Sequence, residues 1–169
     1  MTRPVLLLLV LVPTVALGQG TDSYSSKDGM FTAQFPGKPK ENTQKRNTPL
    51  GQLQVAATTF AMADGSAFLV SYTDFPPGTV TATTRASLFD GARDALAASK
   101  GKVISEKQLE FGPEKLPARE LVVQMGDDQA IFRLVLRGDR IYHVAVMGKT
   151  AFVSGAKATK FLASFEITK

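Results

Sequence analysis

The chain has no cysteine, no tryptophan and a single histidine, His143. Without cysteine there is no disulfide, no thiolate–metal site and no lipid attachment at a cleavage-site cysteine. One histidine and no cysteine also leave zinc without a ligand set. Long apolar runs are scarce as well. Val5–Leu17 covers 13 residues and contains Pro13, short of the roughly 20 that span a bilayer. No glycine-rich phosphate loop and no glycine-flanked nucleophilic serine occur.

What stands at the start has another reading. Arg3, the apolar run from Val5, and the small-residue group Ala16, Leu17, Gly18 have the layout of a signal peptide over residues 1–18. The chain is therefore expected to be exported, periplasmic or secreted after cleavage near Gly18, with no integral membrane segment afterwards. Cleavage leaves 151 of the 169 residues and, with Arg3 gone, lowers the net charge from +5 to +4. A domain of that size buries roughly 68–70% of its unfolded surface, enough for a core without staples. Its bases are scattered, with a loose group at Lys38, Lys40, Lys45 and Arg46, so no nucleic-acid footprint is expected.

Residues 19–28 are polar and serine-rich, and read as a flexible leader. Asp28 and Gly29 then open a short strand, Met30–Phe35, closed by Pro36, Gly37 and Pro39. Glu41–Thr48 is polar throughout, as suits an exposed edge strand or loop. Gly51–Phe60 and Ser66–Phe75 alternate as strands around the turn Ala63–Gly65. A helix follows, capped at Thr83 or Thr84, with Leu88, Phe89, Ala92, Ala95 and Leu96 on one stripe and Gly101 as its stop. Gly91 inside it suggests close packing on a sheet. Lys102–Phe111 and Leu116–Gln124 are two more strands, and a second helix begins at Ser154 with Ala158, Phe161, Leu162 and Phe165 inward. Phe165–Thr168 adds a last short strand.

Between them, Gln129–Gly148 reads as a hairpin turned at Gly138 and Asp139, a type II′ turn with glycine at the first central position. That turn fixes the register. Leu136 faces Ile141, Leu134 faces His143 and Phe132 faces Ala145, while Val135, Arg133 and Ile131 face Tyr142, Val144 and Val146 on the other side. Both faces are apolar, so both must be covered. The class is α+β: a mainly antiparallel sheet of about 6–8 strands flanked by two amphipathic helices, in one domain over residues 29–169.

Several of these stretches carry a resemblance. Asp28, Gly29, Phe31 leading to Phe35, Pro36, Gly37, Pro39 resembles the opening of small exported bacterial domains of the PsbP-like fold. Pro117–Glu120, Arg140–Tyr142 and the closing Phe161, Leu162, Ser164, Phe165 resemble it too, over roughly residues 27–169. The fold is shared by the extrinsic PsbP subunit of photosystem II and a Ran-binding nuclear transport factor. The resemblance implies an antiparallel sheet sandwiched by helices and work through partner surfaces rather than catalysis. Neither a photosystem-docking nor a GTPase-docking signature is present, so neither partner carries over.

The chemistry in the sequence is sparse. His143 is expected to be a core or helix-covered residue with one backbone hydrogen bond. Asp127 and Asp128 fit turn chemistry better than a cation site, and no metal or cofactor is expected. Arg137 and Arg140 flank the turn and should be exposed. Arg133 projects from an apolar face and needs a partner, for which Glu120 or Glu106 is available. The function expected is that of a non-catalytic binding module with a protein partner in the cell envelope. An alternative is a carrier holding an apolar or anionic molecule between helix and sheet near Phe68, Tyr72, Arg133 and Tyr142. The remotest is a hydrolase with His143 in an open cleft.

Overall fold

The structure, a computed structural model, describes residues 23–48, 50–98 and 101–169. The expected signal peptide and the first part of the leader lie outside the described residues.

The hairpin at Gly138 is the centre of the molecule. Strands β8 (Asp128–Arg137) and β9 (Arg140–Lys149) pair in the expected register, with Leu134 opposite His143 and Val135 opposite Tyr142. Gly138 has φ +56° while Asp139 stays negative, as a type II′ turn requires. The turn also grips the chain that leads to the first helix. The Asp139 carboxylate accepts the backbone N–H groups of Val80 and Gly78, each at 2.8 Å, and its carbonyl accepts that of Phe75. Those donors hold the Asp139 carboxyl below the usual carboxylate range.

Around this hairpin lie β3 (Lys40–Thr48), β4 (Gly51–Ala61), β5 (Ala67–Asp74), β6 (Lys102–Phe111) and β7 (Leu116–Met125). The seven strands form one antiparallel sheet in the order β3-β4-β5-β9-β8-β7-β6. Two meanders are thus joined where β5 pairs with β9. The polar segment expected at the edge is the edge: β3 is exposed along nearly its whole length.

A second sheet has the order β1-β2-β10, from β1 (Ser23–Ser26), β2 (Phe31–Gln34) and β10 (Glu166–Ile167). Here the leader reading is corrected. Ser23–Ser26 pairs with Phe31–Gln34, because Tyr24 sets its ring 5.9 Å from Phe31 and 5.8 Å from Phe35, anchoring an otherwise polar segment.

This small sheet, with α2 (Thr150–Val153) and α3 (Ala156–Ser164), covers one face of the large sheet. The core between them is built from Phe31, Phe35, Phe68, Val70, Val135, Tyr142, Phe161 and Phe165. Ala158, Phe161, Leu162 and Phe165 are the buried residues expected. Two details differ. The helix starts after Gly155 with no side-chain cap, and a separate turn, α2, precedes it.

The other face carries α1 (Arg85–Ala98), whose Phe89 is buried with Leu121, Phe132, Leu134, Leu136 and Ile141. Its cap is Thr81, not Thr83 or Thr84. Thr81 Oγ1 accepts the Thr84 N–H at 3.2 Å and Thr84 Oγ1 accepts the Thr81 N–H at 2.9 Å, a reciprocal capping arrangement. Gly91 is also corrected: it is exposed, and a Cβ there would meet nothing within 4 Å.

Candidate functional site

The sheet has seven strands, and one 14-residue helix roofs its second face. α1 lies over β7 and β6, and its cluster reaches Ile141 and Ala145 of β9, so the part made by β3, β4 and β5 is left open. Antiparallel register brings that part's residues into rungs with those of β9 and β8. Lys40, Thr59, Leu69, Ala145 and Phe132 form one; Asn42, Ala57, Ser71, His143 and Leu134 the next; Gln44, Val55, Thr73, Ile141 and Leu136 the third. Alanine, serine and threonine keep the floor low in the open half. The result is a groove of about 590 Å³ between β3 and α1, within the range of small-molecule sites.

The groove's sides differ. Ala92, Ala95 and Leu96 of α1, with Phe132 behind, are apolar; Asn42, Gln44 and Arg46 of β3 are polar or cationic. No carboxylate lines it, and Arg46 makes no ion pair among the described residues. Ser71 is only 8% exposed, yet neither its hydroxyl nor the His143 ring makes a hydrogen bond among the described residues. The backbone-bonded histidine expected from the sequence is thus corrected. His143 is half-buried, opens on the groove, and is pushed down to about 4 by burial, so it is neutral near pH 7.

The residues expected to hold a ligand sit on the opposite face and are occupied. Phe68 is fully buried, 4.9 Å from the Phe161 ring and 5.5 Å from that of Phe152. Tyr142 is fully buried and its hydroxyl donates to the Gly29 carbonyl at 2.9 Å; burial raises its pKa and keeps the phenol protonated. Tyr72 stacks under the Arg140 guanidinium at 4.4 Å. Arg133 pairs with Glu120 at 2.8 Å and donates to the Leu162 carbonyl at 3.0 Å, in the last turn of α3, where a cation also suits the helix dipole. These four residues bind the sheet to its cover, and the expected pocket between them is filled by Phe152, Phe161 and Phe165.

Arg137 and Arg140 are not free surface cations. Arg137 donates to the Thr168 carbonyl at 2.7 Å; Arg140 donates to Asp74 and to the Asp28 carbonyl, each through well-formed contacts of 2.7 and 2.8 Å. Asp74 pulls the Arg140 pKa up. Glu106 serves Arg119 rather than Arg133. Arg119 is buried under α1, 2.6 Å from Asp90 and 2.7 Å from Glu106, with Phe89 against its guanidinium. A second cavity of about 450 Å³ lies by Phe111, Leu116, Arg137 and Phe165, but its one cation already serves Thr168 and Glu114. Asp128 pairs with Lys149 at 2.8 Å. Among the described residues no cluster of three or more potential metal-ligating side chains occurs, and no helix is long and apolar enough to cross a membrane.

The arrangement is that of an α+β sandwich with the small sheet, α2 and α3 packed on one face and α1 over part of the other. No protein-family model and no curated protein matches the chain. Ten chains of known structure do. Among them is the solution structure of cyanobacterial PsbP (CyanoP) from Synechocystis sp. PCC 6803. It is 12% identical with a TM-score of 0.59, covering 94% of this chain and 98% of that one. At that identity the likeness speaks for the fold, which is PsbP-like, as the sequence pattern resembles.

Proposed function

We propose that the chain is an exported, non-catalytic binding module that works through the open half of the α1 side of its sheet. The observation that carries this is the half-roofed face: a low floor with an unpaired serine and histidine, in a molecule whose other face packs against the small sheet, α2 and α3. The PsbP-like fold supports it, since that resemblance implies work through binding surfaces. Arg3, the apolar run from Val5 and the Ala16–Gly18 group support export, with a partner in the cell envelope. A hydrolytic base would need a third group to orient it, and His143 has no carboxylate beside it in the groove.

The carrier reading is favoured by one specific observation, the unpartnered Ser71 and His143, with the ligand bay on the α1 side instead of beside Phe68 and Tyr142. The test compares wild type with Ala57→Trp and Ala95→Trp, which fill the groove from floor and wall. Each is gently purified from its native envelope fraction and examined by native mass spectrometry. Wild type should retain a bound protein or small molecule that both variants lose while melting like wild type. Equal retention by all three, or nothing retained by wild type in repeated preparations, overturns the reading.

A further inference from the structure

The groove's chemistry narrows what it would hold, and this step rests on the reading above. Along the strands the floor changes character. Leu69, Ala145 and Phe132 make an apolar rung beside Leu96; Ser71 and His143 make a polar one next to it; Arg46 stands beyond Val55 and Thr73 on the rim. Ser71 and His143 face each other across β5 and β9. Neither side chain has a protein partner among the described residues, and their polar atoms keep surface open to the groove, so an acceptor group placed there can take both donors.

Charge points the same way. Alternation along β3 puts Lys40, Asn42, Gln44 and Arg46 on the groove side and Glu41 on the other, where it accepts the Tyr24 hydroxyl. Neither Lys40 nor Arg46 makes an ion pair among the described residues, and none of the lining residues is acidic. The groove is therefore cationic on one side and apolar on the other.

We propose that the groove binds a small amphiphilic carboxylate. Its carboxylate takes the Ser71 hydroxyl and the His143 ring N–H, its apolar body lies against Leu69, Ala92, Leu96 and Phe132, and Arg46 on the rim attracts it from farther along the groove. The neutral imidazole supplies one donor and the hydroxyl another, while the guanidinium on the rim adds a longer-range, screened attraction.

The probe is decanoate, below its micelle concentration, titrated into the ¹⁵N-labelled protein, with decanol as the uncharged control and phosphatidylglycerol vesicles as a lipid-surface control. Decanoate should shift the amides of Ala57, Leu69, Ser71, Ala95 and Leu96 saturably and raise the pH midpoint of the His143 ring. Decanol should bind about tenfold more weakly, and Arg46→Gln should weaken decanoate about two- to threefold while leaving decanol unchanged. Ser71→Ala should weaken decanoate as well. The proposal is overturned if those amides do not move, if Arg46→Gln binds decanoate like wild type, or if only the vesicles bind. Should decanoate fail while Ala57→Trp still releases native material, the ligand class is wrong and the binding module stands. Should Ala57→Trp release nothing, both fall.

Discussion

His143 makes the fold sensitive to mild acid. Its ring titrates near 4 in the folded chain because burial disfavours the imidazolium, against about 6.5 when unfolded. Between those values the unfolded chain binds the extra proton. Stability therefore rises with pH across this window and is lost as pH falls from about 6.5 toward about 4. Linkage sets an upper limit of about 2 kcal/mol between about pH 7.5 and pH 5, and water reaching the ring through the groove reduces the expected loss to about 1–2 kcal/mol. Arg46 is the only charged residue lining the groove, and burial alone accounts for the lowered value. Asp64, Asp90 and Asp139 are held below the ordinary carboxylate range, so their contributions are lost only below about pH 4. Urea unfolding of wild type and His143→Gln at the two pH values isolates the histidine. The stability difference between them should move by about 1–2 kcal/mol in favour of the variant in acid. Parallel pH profiles, or a wild type that gains on the variant as pH falls, would refute the reasoning.

Other perturbations probe the frame. Leu134→Ala removes a fully buried side chain from the centre of the sheet and should cost about 2–5 kcal/mol in urea unfolding; less than 1 kcal/mol would mean that α1 does not seal that half. Tyr142→Phe leaves the Gly29 carbonyl without its donor and should cost about 1–2 kcal/mol, whereas an unchanged midpoint would make that bond dispensable. Gly138→Ala and Gly148→Ala should differ. A Cβ at Gly138 meets nothing within 4 Å, so only its positive φ is paid for, about 1–2 kcal/mol. At Gly148 a Cβ would fall 2.6 Å from Ser66 Oγ and 3.0 Å from the Phe152 ring, with φ +153° besides. Gly148→Ala should therefore have the lower thermal midpoint; the reverse order would refute the packing described there.

Much of the frame was legible because local signals fixed it. The register of the central hairpin follows from one turn glycine and strict alternation, and the helices follow from their apolar stripes. The leader was misread because Ser23–Ser26 has no apolar alternation of its own; its strand depends on Tyr24 meeting Phe31 and Phe35. The fates of Arg137 and Arg140 depended on carbonyls at Thr168 and Asp28, which only the tertiary fold brings near. The groove was illegible for another reason. It arises from which strands α1 fails to cover, and that depends on β5 pairing with β9 across two meanders, a contact with no local signature. Had that pairing been known, the small residues Ala57 and Ser71 on one face would have flagged the low floor.

The three-stranded clasp sets the order in which the molecule can be assembled and opened. The large sheet forms from neighbours in sequence, save at β5–β9, but the clasp joins residues far apart: the Gln34 N–H reaches Ser164 across 130 positions, and Tyr142 reaches Gly29 across 113. Closing such loops is slow and contributes late. The clasp should be the last region to gain protection from hydrogen exchange and the first to surrender it on warming. When it lifts, Phe68 and Tyr142 meet water while the meanders remain folded, a partly opened species with a sticky face. Proteolysis and aggregation would then both begin at that seam.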